Sequence, residues 1–437
     1  MLPLDHGSVP AMPHHSLADW LDRIQSLHPH SIELGLDRVR AVADRMGLAR
    51  PARRVVTVAG TNGKGSTVAF IEAIGRAAGL RVAAYTSPHL LRYNERVRID
   101  GIEAEDAALV TAFEAVETAR ATTPLTYFEC ATLAALWLFE RAGLDLAVLE
   151  VGLGGRLDAV NLIDADVAVL TTVALDHQDW LGPDRETIGR EKAGIMRAGR
   201  PVVLAEADPP ASVLRHAYAL GAPTIRAGCD YRVERRRDDW LWQQPGQHLV
   251  LPYPALLAPA QIDNAAAAVA AIRASRLRVP KSAWAAIGSV RVPGRLQSMA
   301  IPVPGGQAEL VLDVGHNPQA AEQLATWLAT HPAPGRELAL FSALADKDIE
   351  GIVQPLRQRI AGWWLAGLES AGPRGLTTAA LADRVGEIGQ CRHRPDVATA
   401  LADALAELRP GDRLLVFGSF HTVAAALAHL AERNLTW

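Results

Sequence analysis

Short apolar runs alternate along this chain with longer stretches in which apolar residues recur at helical spacing. The runs Arg54–Ala59, Arg81–Thr86, Asp145–Val151, Asp166–Val173 and Pro201–Ala205 are dense in valine, leucine and alanine. Runs of that length and composition predict strands covered on both faces. Between them, Ser66–Gly79, Ala104–Arg120, Cys130–Ala142 and Glu186–Arg197 carry the helical period. Strand and helix in alternation predict a parallel sheet with helices on both sides. The alanine-rich segment Ala260–Leu277 predicts one more helix, buried on at least one face.

The turn residues Val292-Pro293-Gly294-Arg295 end this pattern, and a second one begins at Glu309–Val314. It continues with strands over Glu337–Phe341, Gly362–Ala366 and Arg413–Phe417. Its helices fall at Ala320–Thr330, Ile349–Ile360, Ala398–Leu408 and Thr422–Glu432. A chain of 437 residues exceeds what one core usually supports. The expectation is an α/β protein in which a P-loop ATPase-like parallel-sheet domain (residues 1–294) precedes a smaller Rossmann-like α/β domain (residues 295–437).

Composition narrows the class. Apolar residues make up 49% and charged residues 21% of the chain, as in globular proteins, and the net charge of −4 offers no basic field for nucleic acid. No stretch reaches the ~18 apolar residues of a membrane span. The N-terminus has prolines and an acid where a signal core would be apolar. Cys130, Cys229 and Cys391 are odd in number and widely spaced, which predicts reduced thiols in a cytoplasmic protein, with Cys130 an inert core thiol. His14 and His15 read as part of a mobile tail rather than a metal site.

The run Val58–Thr67 carries the sharpest chemistry. Gly60, Gly63 and Gly65 let successive N–H groups point at one anion, and the helix that opens behind them adds its positive end. Lys64 can reach a terminal phosphate, and the Ser66 hydroxyl is placed to ligate magnesium. Thr61, Asn62 and Thr67 complete the loop. Gly65 stands between lysine and serine, so the spacing is G-x-x-G-K-G-S rather than the common G-x-x-x-x-G-K-[ST].

Other chemistry-bearing residues fall where predicted strands end, the edge at which open α/β sheets bind ligands. Glu150 precedes the glycine-rich Gly152–Asp158 loop and can hold magnesium beside phosphates. His177 follows the next strand in an Asp-His pair, fitting a second metal. Ser87, in Ser87-Pro88-His89-Leu90, can add a hard oxygen ligand. Arg190-Glu191-Lys192 reads, by itself, as a solvated helix face. In the second pattern Asp313–Pro318 and Gly418–Thr422 are polar strand-end loops able to bind an anion or an amino acid. Arg295, at the junction, is placed to meet phosphate from the far side of a cleft.

These residues together resemble the bacterial bifunctional dihydrofolate synthase/folylpolyglutamate synthases, of the Mur ligase superfamily. The specific runs are VAGTNGKGS (58–66), SPHL (87–90), LTYFE (125–129), LEVGLGGRLDA (149–159), LDHQDWLGPDRETIGREKAGI (175–195), DVGHNP (313–318), DKDI (346–349) and FGSFHTVA (417–424), together with the run from Ser31 and Ile32 to Val39. The resemblance implies that Gly60 to Thr67, with Asn264, Arg295 and Asp313, contact ATP. It implies two Mg²⁺ ions served by Ser66, Ser87, Glu150 and His177, and a carbamylated Lys192 supporting the second ion. Lys64, Lys192, His316 and Ser419 would be catalytic or handle glutamate. Thr126, Phe128, Arg156 and Asp158 would line the dihydropteroate pocket. Two departures from the family's runs are Gln261-Ile262-Asp263-Asn264 for Gln-Pro-Asn, and Ala159-Val160-Asn161 for Ala-Thr-Asn.

The implied activity is ATP-dependent amide ligation. L-glutamate joins dihydropteroate, and further glutamates join reduced folates, through an acyl phosphate. A monomer with small-molecule partners, and no nucleic acid or membrane, is expected. The rival readings are a monofunctional folylpolyglutamate synthase, a Mur-type ligase for a cell-wall precursor, and a P-loop switch that needs no amino-acid acceptor.

Overall fold

A strand with no polar face is stable only when both of its faces are covered, and that requirement organises the N-terminal domain. The structure, a computed structural model, describes residues 16–28 and 33–433. The expected tail with His14 and His15, and Ser31 and Ile32 of the resembling run, lie outside the described residues. The first sheet contains β1 (Ala52–Ala59), β2 (Val82–Tyr85), β3 (Val97–Ile99), β4 (Ile102–Glu103), β5 (Leu144–Glu150), β6 (Val167–Leu170), β7 (Val202–Leu204) and β8 (Thr224–Arg226). Their order is β4-β3-β2-β5-β1-β6-β7-β8.

From β2 to β8 the pairing is parallel, and β3 and β4 add an antiparallel edge. On β1 successive side chains serve opposite cores. Val55 and Ala59 pack with the helix Tyr127–Arg141, while Val56 and Val58 pack with the helices Lys64–Ala77 and Gln261–Ala274. The alanines of Gln261–Ala274 let it lie close against Lys64–Ala77.

That helix is covered on its far side by a second, antiparallel sheet of β9 (Arg232–Arg235), β10 (Trp240–Gln244) and β11 (Gln247–Leu251). Trp240 and Trp242 are fully buried, and Trp242 Nε1 donates to the Ala266 carbonyl at 3.2 Å. Sequence patterning gave no expectation of this sheet.

The second domain repeats the parallel principle with β12 (Gln297–Val303), β13 (Gly306–Asp313), β14 (Glu337–Phe341), β15 (Gly362–Ala366), β16 (Gln390–Arg394) and β17 (Arg413–Phe417). The order is β12-β13-β17-β14-β15-β16, with β12 an antiparallel hairpin partner of β13. The connection between the domains is tied down by Val314 N–H donating to the Gly294 carbonyl and Leu296 N–H to Asp313 Oδ2, both at 2.9 Å.

Several helices begin earlier than the apolar period predicts, because a capping side chain sets the start. Thr126 caps Tyr127–Arg141, Asn317 caps Pro318–Thr330 and Ser419 caps Phe420–Glu432. The helix expected over Ile349–Ile360 is the short Ile349–Val353, followed by turns. Among the described residues no helix is long and apolar enough to cross a membrane. The cysteines are free, and burial pushes the Cys130 thiol up to about 12, as an inert core group.

Phe417 is fully buried, its ring 4.9 Å from Phe341 and 6.3 Å from Trp363. Phe417→Ala should lower the unfolding free energy by about 3–5 kcal/mol, as large-to-small core changes do. Urea unfolding followed by tryptophan fluorescence measures it; a loss near zero would mean that this ring is not a core element.

Candidate active site

Sheet order explains why residues far apart in sequence meet. β1 lies between β5 and β6, with β2 beyond β5, so four parallel strands end side by side. The phosphate loop leaves β1, Ser87 follows β2, Glu150 ends β5, and Thr171 to His177 follow β6. This is the switch point at which an open α/β sheet leaves a crevice. β13, β14 and β17 of the second domain bring their own carboxyl ends, with His316, Lys347 and Ser419 just beyond, to the opposite side.

The phosphate loop is packed too closely for side chains. Gly60 has φ +155°, and a Cβ there would stand 1.8 Å from Thr171 Oγ1. Gly63, at φ +86°, is the left-handed residue before Lys64–Ala77, and a Cβ there would meet Asn264 Oδ1 at 2.3 Å. Thr61 N–H donates to the Thr172 carbonyl at 2.7 Å, and Thr171 Oγ1 donates to the Asn62 carbonyl at 2.6 Å. The loop after β6 therefore moulds the loop after β1.

Two lysines approach the same carbonyl. Lys64 Nζ donates to Gly60 O and Thr61 O at 3.0 Å, and Lys192 Nζ donates to Gly60 O at 3.1 Å. Lys192 is 4% exposed, so the solvated helix face expected for Arg190–Lys192 does not hold for the lysine; the helix turns it inward. Burial and the Lys64 charge push Lys192 down to about 7. Burial also lowers Lys64, against the opposing pull of Glu150. Glu150 is raised by burial, with Lys64 and the Ser87 N–H, 3.2 Å from Oε2, acting against that rise. These are groups arranged for a polyanion and its counterions rather than for each other.

The donor set fits magnesium. Ser66, Ser87 and Glu150 line one cavity and offer hard oxygens, as that ion prefers. Among the described residues no group of three or more His, Cys, Asp or Glu forms an all-protein cage. Magnesium usually keeps waters and takes one or two carboxylates plus phosphate oxygens, so a sparse set is the expected one. His177 lines the same cavity with φ +51°, and burial lowers it to about 4, leaving a neutral ring at pH 7.

The facing wall comes from the junction and the second domain. Arg295 and Asp313 line the cavity; burial lowers the former and raises the latter, and each opposes the other's shift. His316 Nδ1 lies 2.9 Å from Val314 O, and Nε2 lies 3.4 Å from Asp176 Oδ2. Both partners are acceptors, so a ring N–H at either nitrogen has a partner. Asp176 also accepts from Lys347 Nζ at 2.7 Å and Asn317 Nδ2 at 3.3 Å. Burial pushes Asp176 up, but His316, His177 and Lys347 together hold it well below the usual carboxylate range. A neighbouring cavity of about 670 Å³ shares Asp176, His177 and His316 and extends to Lys347, Arg374 and Trp180.

Of the residues singled out from sequence, Gly60 to Ser66, Ser87, Glu150, His177, Lys192, Asn264, Arg295, Asp313 and His316 line one cavity. Thr67 is buried in the helix behind the loop. Thr126 Oγ1 is spent in a capping box with Glu129. Phe128 packs near Tyr85 and closes over Gly152, where a Cβ would meet its ring at 2.6 Å. Arg156 pairs with Glu191 at 3.0 Å. Asp158, raised by burial to about 7, accepts from Leu153 N–H and Val160 N–H, holding the glycine-rich loop in shape. Ser419 Oγ accepts from Thr422 N–H at 3.0 Å. Sequence reasoning assigned no role to Lys347 or Gln319. A lysine between two acids beyond a strand end was the signal for the first, and nothing marked the second.

The chain matches the Mur ligase middle domain over residues 58–272 and the Mur ligase glutamate ligase domain over residues 294–420. It is 46% identical to the dihydrofolate synthase/folylpolyglutamate synthase of Escherichia coli (strain K12) over 420 residues, 96% of each chain. The Haemophilus influenzae protein of that name is 38% identical, covering 93% of this chain and 96% of its own. The structure of E. coli FolC in complex with DHPP and ADP superposes with a TM-score of 0.90 at 45% identity, over 97% of this chain and 100% of that one. A bifunctional folylpolyglutamate synthase/dihydrofolate synthase with Mn, AMPPNP and L-glutamate bound gives 0.88 at 44% identity, over 96% and 98%.

Gly63→Ala places a methyl group where Asn264 stands and imposes a left-handed conformation on alanine, a strain of about 1–3 kcal/mol before the clash. Nucleotide affinity should fall about tenfold or more, since 1.4 kcal/mol is a factor of ten. Calorimetric titration with ADP measures it; unchanged affinity would mean that this turn does not shape the phosphate site.

Proposed function

The chain belongs to the dihydrofolate synthase/folylpolyglutamate synthase family of Mur ligases, and from that membership we propose how its own residues divide the work. It is an ATP-dependent ligase that joins L-glutamate to dihydropteroate and adds further glutamates to reduced folates. Nucleotide and a divalent metal ion are its cofactors. The observation that carries the residue assignment is the convergence of Lys64, Glu150, His177 and Lys192 on one cavity, faced by Arg295 and Asp313.

A carboxylate resists attack because its charge is delocalised and its oxygen is a poor leaving group. Transfer of the γ-phosphoryl group to that oxygen gives an acyl phosphate. The glutamate amine then attacks the carbonyl, phosphate leaves with the C–O bond pair, and the amine proton is lost to solvent or phosphate. No enzyme nucleophile is needed; position and charge neutralisation supply the catalysis. In our reading Gly60 to Thr67 cradle the phosphates, Lys64 offsets charge on the moving group, Arg295 meets phosphate from the far side of the cleft, and Asn264 and Asp313 complete the contacts to ATP. Ser66, Ser87, Glu150 and His177 would hold two magnesium ions, which supply Lewis-acid neutralisation of the phosphate charge.

Lys192, pushed to about 7, is in large part a neutral amine at pH 7. A neutral amine attacks CO₂ to form a carbamate with release of a proton, and we assign that modification to Lys192 as support for the second ion. Phe128 supplies an aromatic face for the pterin, with Thr126, Arg156 and Asp158 shaping that wall. The cavity at Lys347 and Arg374 suits the dicarboxylate glutamate, with His316 at its border as a hydrogen-bonding group, while Ser419 acts from behind it by capping the helix Phe420–Glu432. We put the domain boundary between residues 294 and 295. A cytoplasmic monomer without nucleic-acid or membrane partners fits the same reading.

ADP formation should require dihydropteroate (or a reduced folate) and L-glutamate together for amide product. Lys64→Ala should cut turnover by on the order of 10²–10³, the scale for losing one preorganised donor. Coupled ADP assay and product chromatography read both; substrate-independent ATP hydrolysis at the full rate would favour a switch over a ligase. Retained folate extension without dihydropteroate ligation would favour the monofunctional reading.

Lys192→Ala should lose activity that short-chain carboxylates restore in part, because a carboxylate replaces the carbamate oxygens. The absence of rescue, with full wild-type activity in CO₂-depleted buffer, would remove the carbamate.

A further inference from the structure

The two loops that build the phosphate site are gripped from across the interdomain gap by carboxamides. Asn62 Nδ2 donates to Asn317 Oδ1, and Asn317 Nδ2 donates to Asn62 Oδ1, both at 3.0 Å. Gln319 Oε1 accepts from Asn62 Nδ2 at 2.7 Å and from Thr172 Oγ1 at 3.2 Å. Asn317 is 2% exposed, and its Oδ1 also caps the helix Pro318–Thr330 through Ala320 N–H at 3.0 Å. The backbone of Asn62 is fixed in turn from the N-terminal domain, with its N–H on Thr172 Oγ1 at 3.1 Å and its carbonyl on Thr171 Oγ1. One residue, directly before the left-handed Gly63, is therefore held by backbone to one domain and by side chain to the other.

An amide pair of this kind differs from an ion pair. It exerts little attraction at range, so it does not steer the domains together. Once they meet, two antiparallel N–H···O bonds fix both distance and orientation, and leaving a buried amide unpaired is costly. It is suited to locking a closed arrangement rather than to driving closure.

We propose that Asn62, Asn317 and Gln319 form a closure clamp, with Asn317 and Gln319 as positioning residues that couple docking of the second domain to the shape of the phosphate loop. The proposal rests on the ligase reading above and names what keeps its intermediate dry. With the clamp broken, water reaches the acyl phosphate. Water adds, the acyl phosphate bond breaks, and free carboxylic acid and phosphate result. ATP is then consumed without amide formation.

The test uses full-length protein carrying Asn317→Ser and Gln319→Ala, singly and together. Serine keeps an oxygen to cap Ala320 N–H, so the helix stays capped while the interdomain bonds are lost. Two quantities are read, ADP formed per glutamate incorporated and hydrogen exchange of the amides of residues 60–67. The ratio should be about one in the wild type and about two or more in the double variant, because an opened site admits water. Exchange of the phosphate-loop amides should quicken about tenfold at an unchanged melting temperature, as expected for a local opening. Adding Asn62→Ala to the Asn317→Ser, Gln319→Ala double variant, in which both partners of its side chain are already gone, should change exchange little further, the non-additivity of partners.

A ratio that stays at one with unaltered exchange overturns the clamp. If the wild type forms no glutamate-dependent ADP, the ligase reading itself falls. The exchange comparison then decides the clamp without it, and equal exchange in wild type and double variant discards it.

Discussion

The phosphate loop exists in its observed shape because there is no room for side chains at two of its turns. Thr171 Oγ1 occupies the space a Cβ on Gly60 would need, and Asn264 occupies that of Gly63. The first comes from the loop after β6, the strand beside β1, and the second from the alanine-rich helix lying on Lys64–Ala77. A single stretch of backbone is thus squeezed between two independent elements, and its N–H groups are aimed by that squeeze. The rest of the site takes its position from this contact, since Glu150 and His177 end or follow strands whose register against β1 is fixed by the same sheet.

Electrostatics explain why such a site waits for a ligand. Lys64 and Lys192 reach the same carbonyl and both are lowered by burial, the Lys64 charge adding to the fall of Lys192, while burial raises Glu150. Each charge sits where solvent is scarce and where its neighbours satisfy it incompletely. A triphosphate with its metal ions gives the cations an anion and the carboxylates a cation at once. Asp176 is the exception: four hydrogen-bond donors surround it, three of them from the second domain, and it is a fixed anion in a structural contact. The site therefore has two electrostatic regimes, an unsatisfied one around the phosphate loop and a satisfied one, centred on Asp176, that joins the domains.

Much of this was legible in the sequence because the relevant signals are local. The glycine-rich turn after a valine run, the acid ending β5 and the Asp-His pair after β6 each declare chemistry and strand end in a few residues. The strands buried on both faces were equally plain. Among the elements that escaped are the polar edge strand β16, the short β3, β4 and β8, the hairpin strand β12, the small sheet β9 to β11, and the helices Leu17–Ser26, Asp37–Arg45, Ala211–Ala219 and Thr378–Val385. Helix starts shifted by two or three residues because capping by Thr126, Asn317 and Ser419 outranks apolar period. The inward turn of Lys192 was invisible, since a charged triplet on a helix reads as solvated until its neighbours are known.

The interdomain contacts were the least legible of all, for a general reason. Asn62, Asn317 and Gln319 are 255 or more residues apart across the gap, and an amide carries no mark of its partner. Their meaning appears only when both sheets present their carboxyl ends to one crevice. The first sheet then supplies the loops that bind charge, and the second supplies the groups that hold those loops still. Closing the crevice and shaping the phosphate loop become the same event, because the residue before Gly63 cannot satisfy its amide in the observed way unless the second domain is docked. An enzyme that must keep an acyl phosphate from water gains from that identity: the geometry that transfers the phosphoryl group is available only when the geometry that excludes solvent is in place.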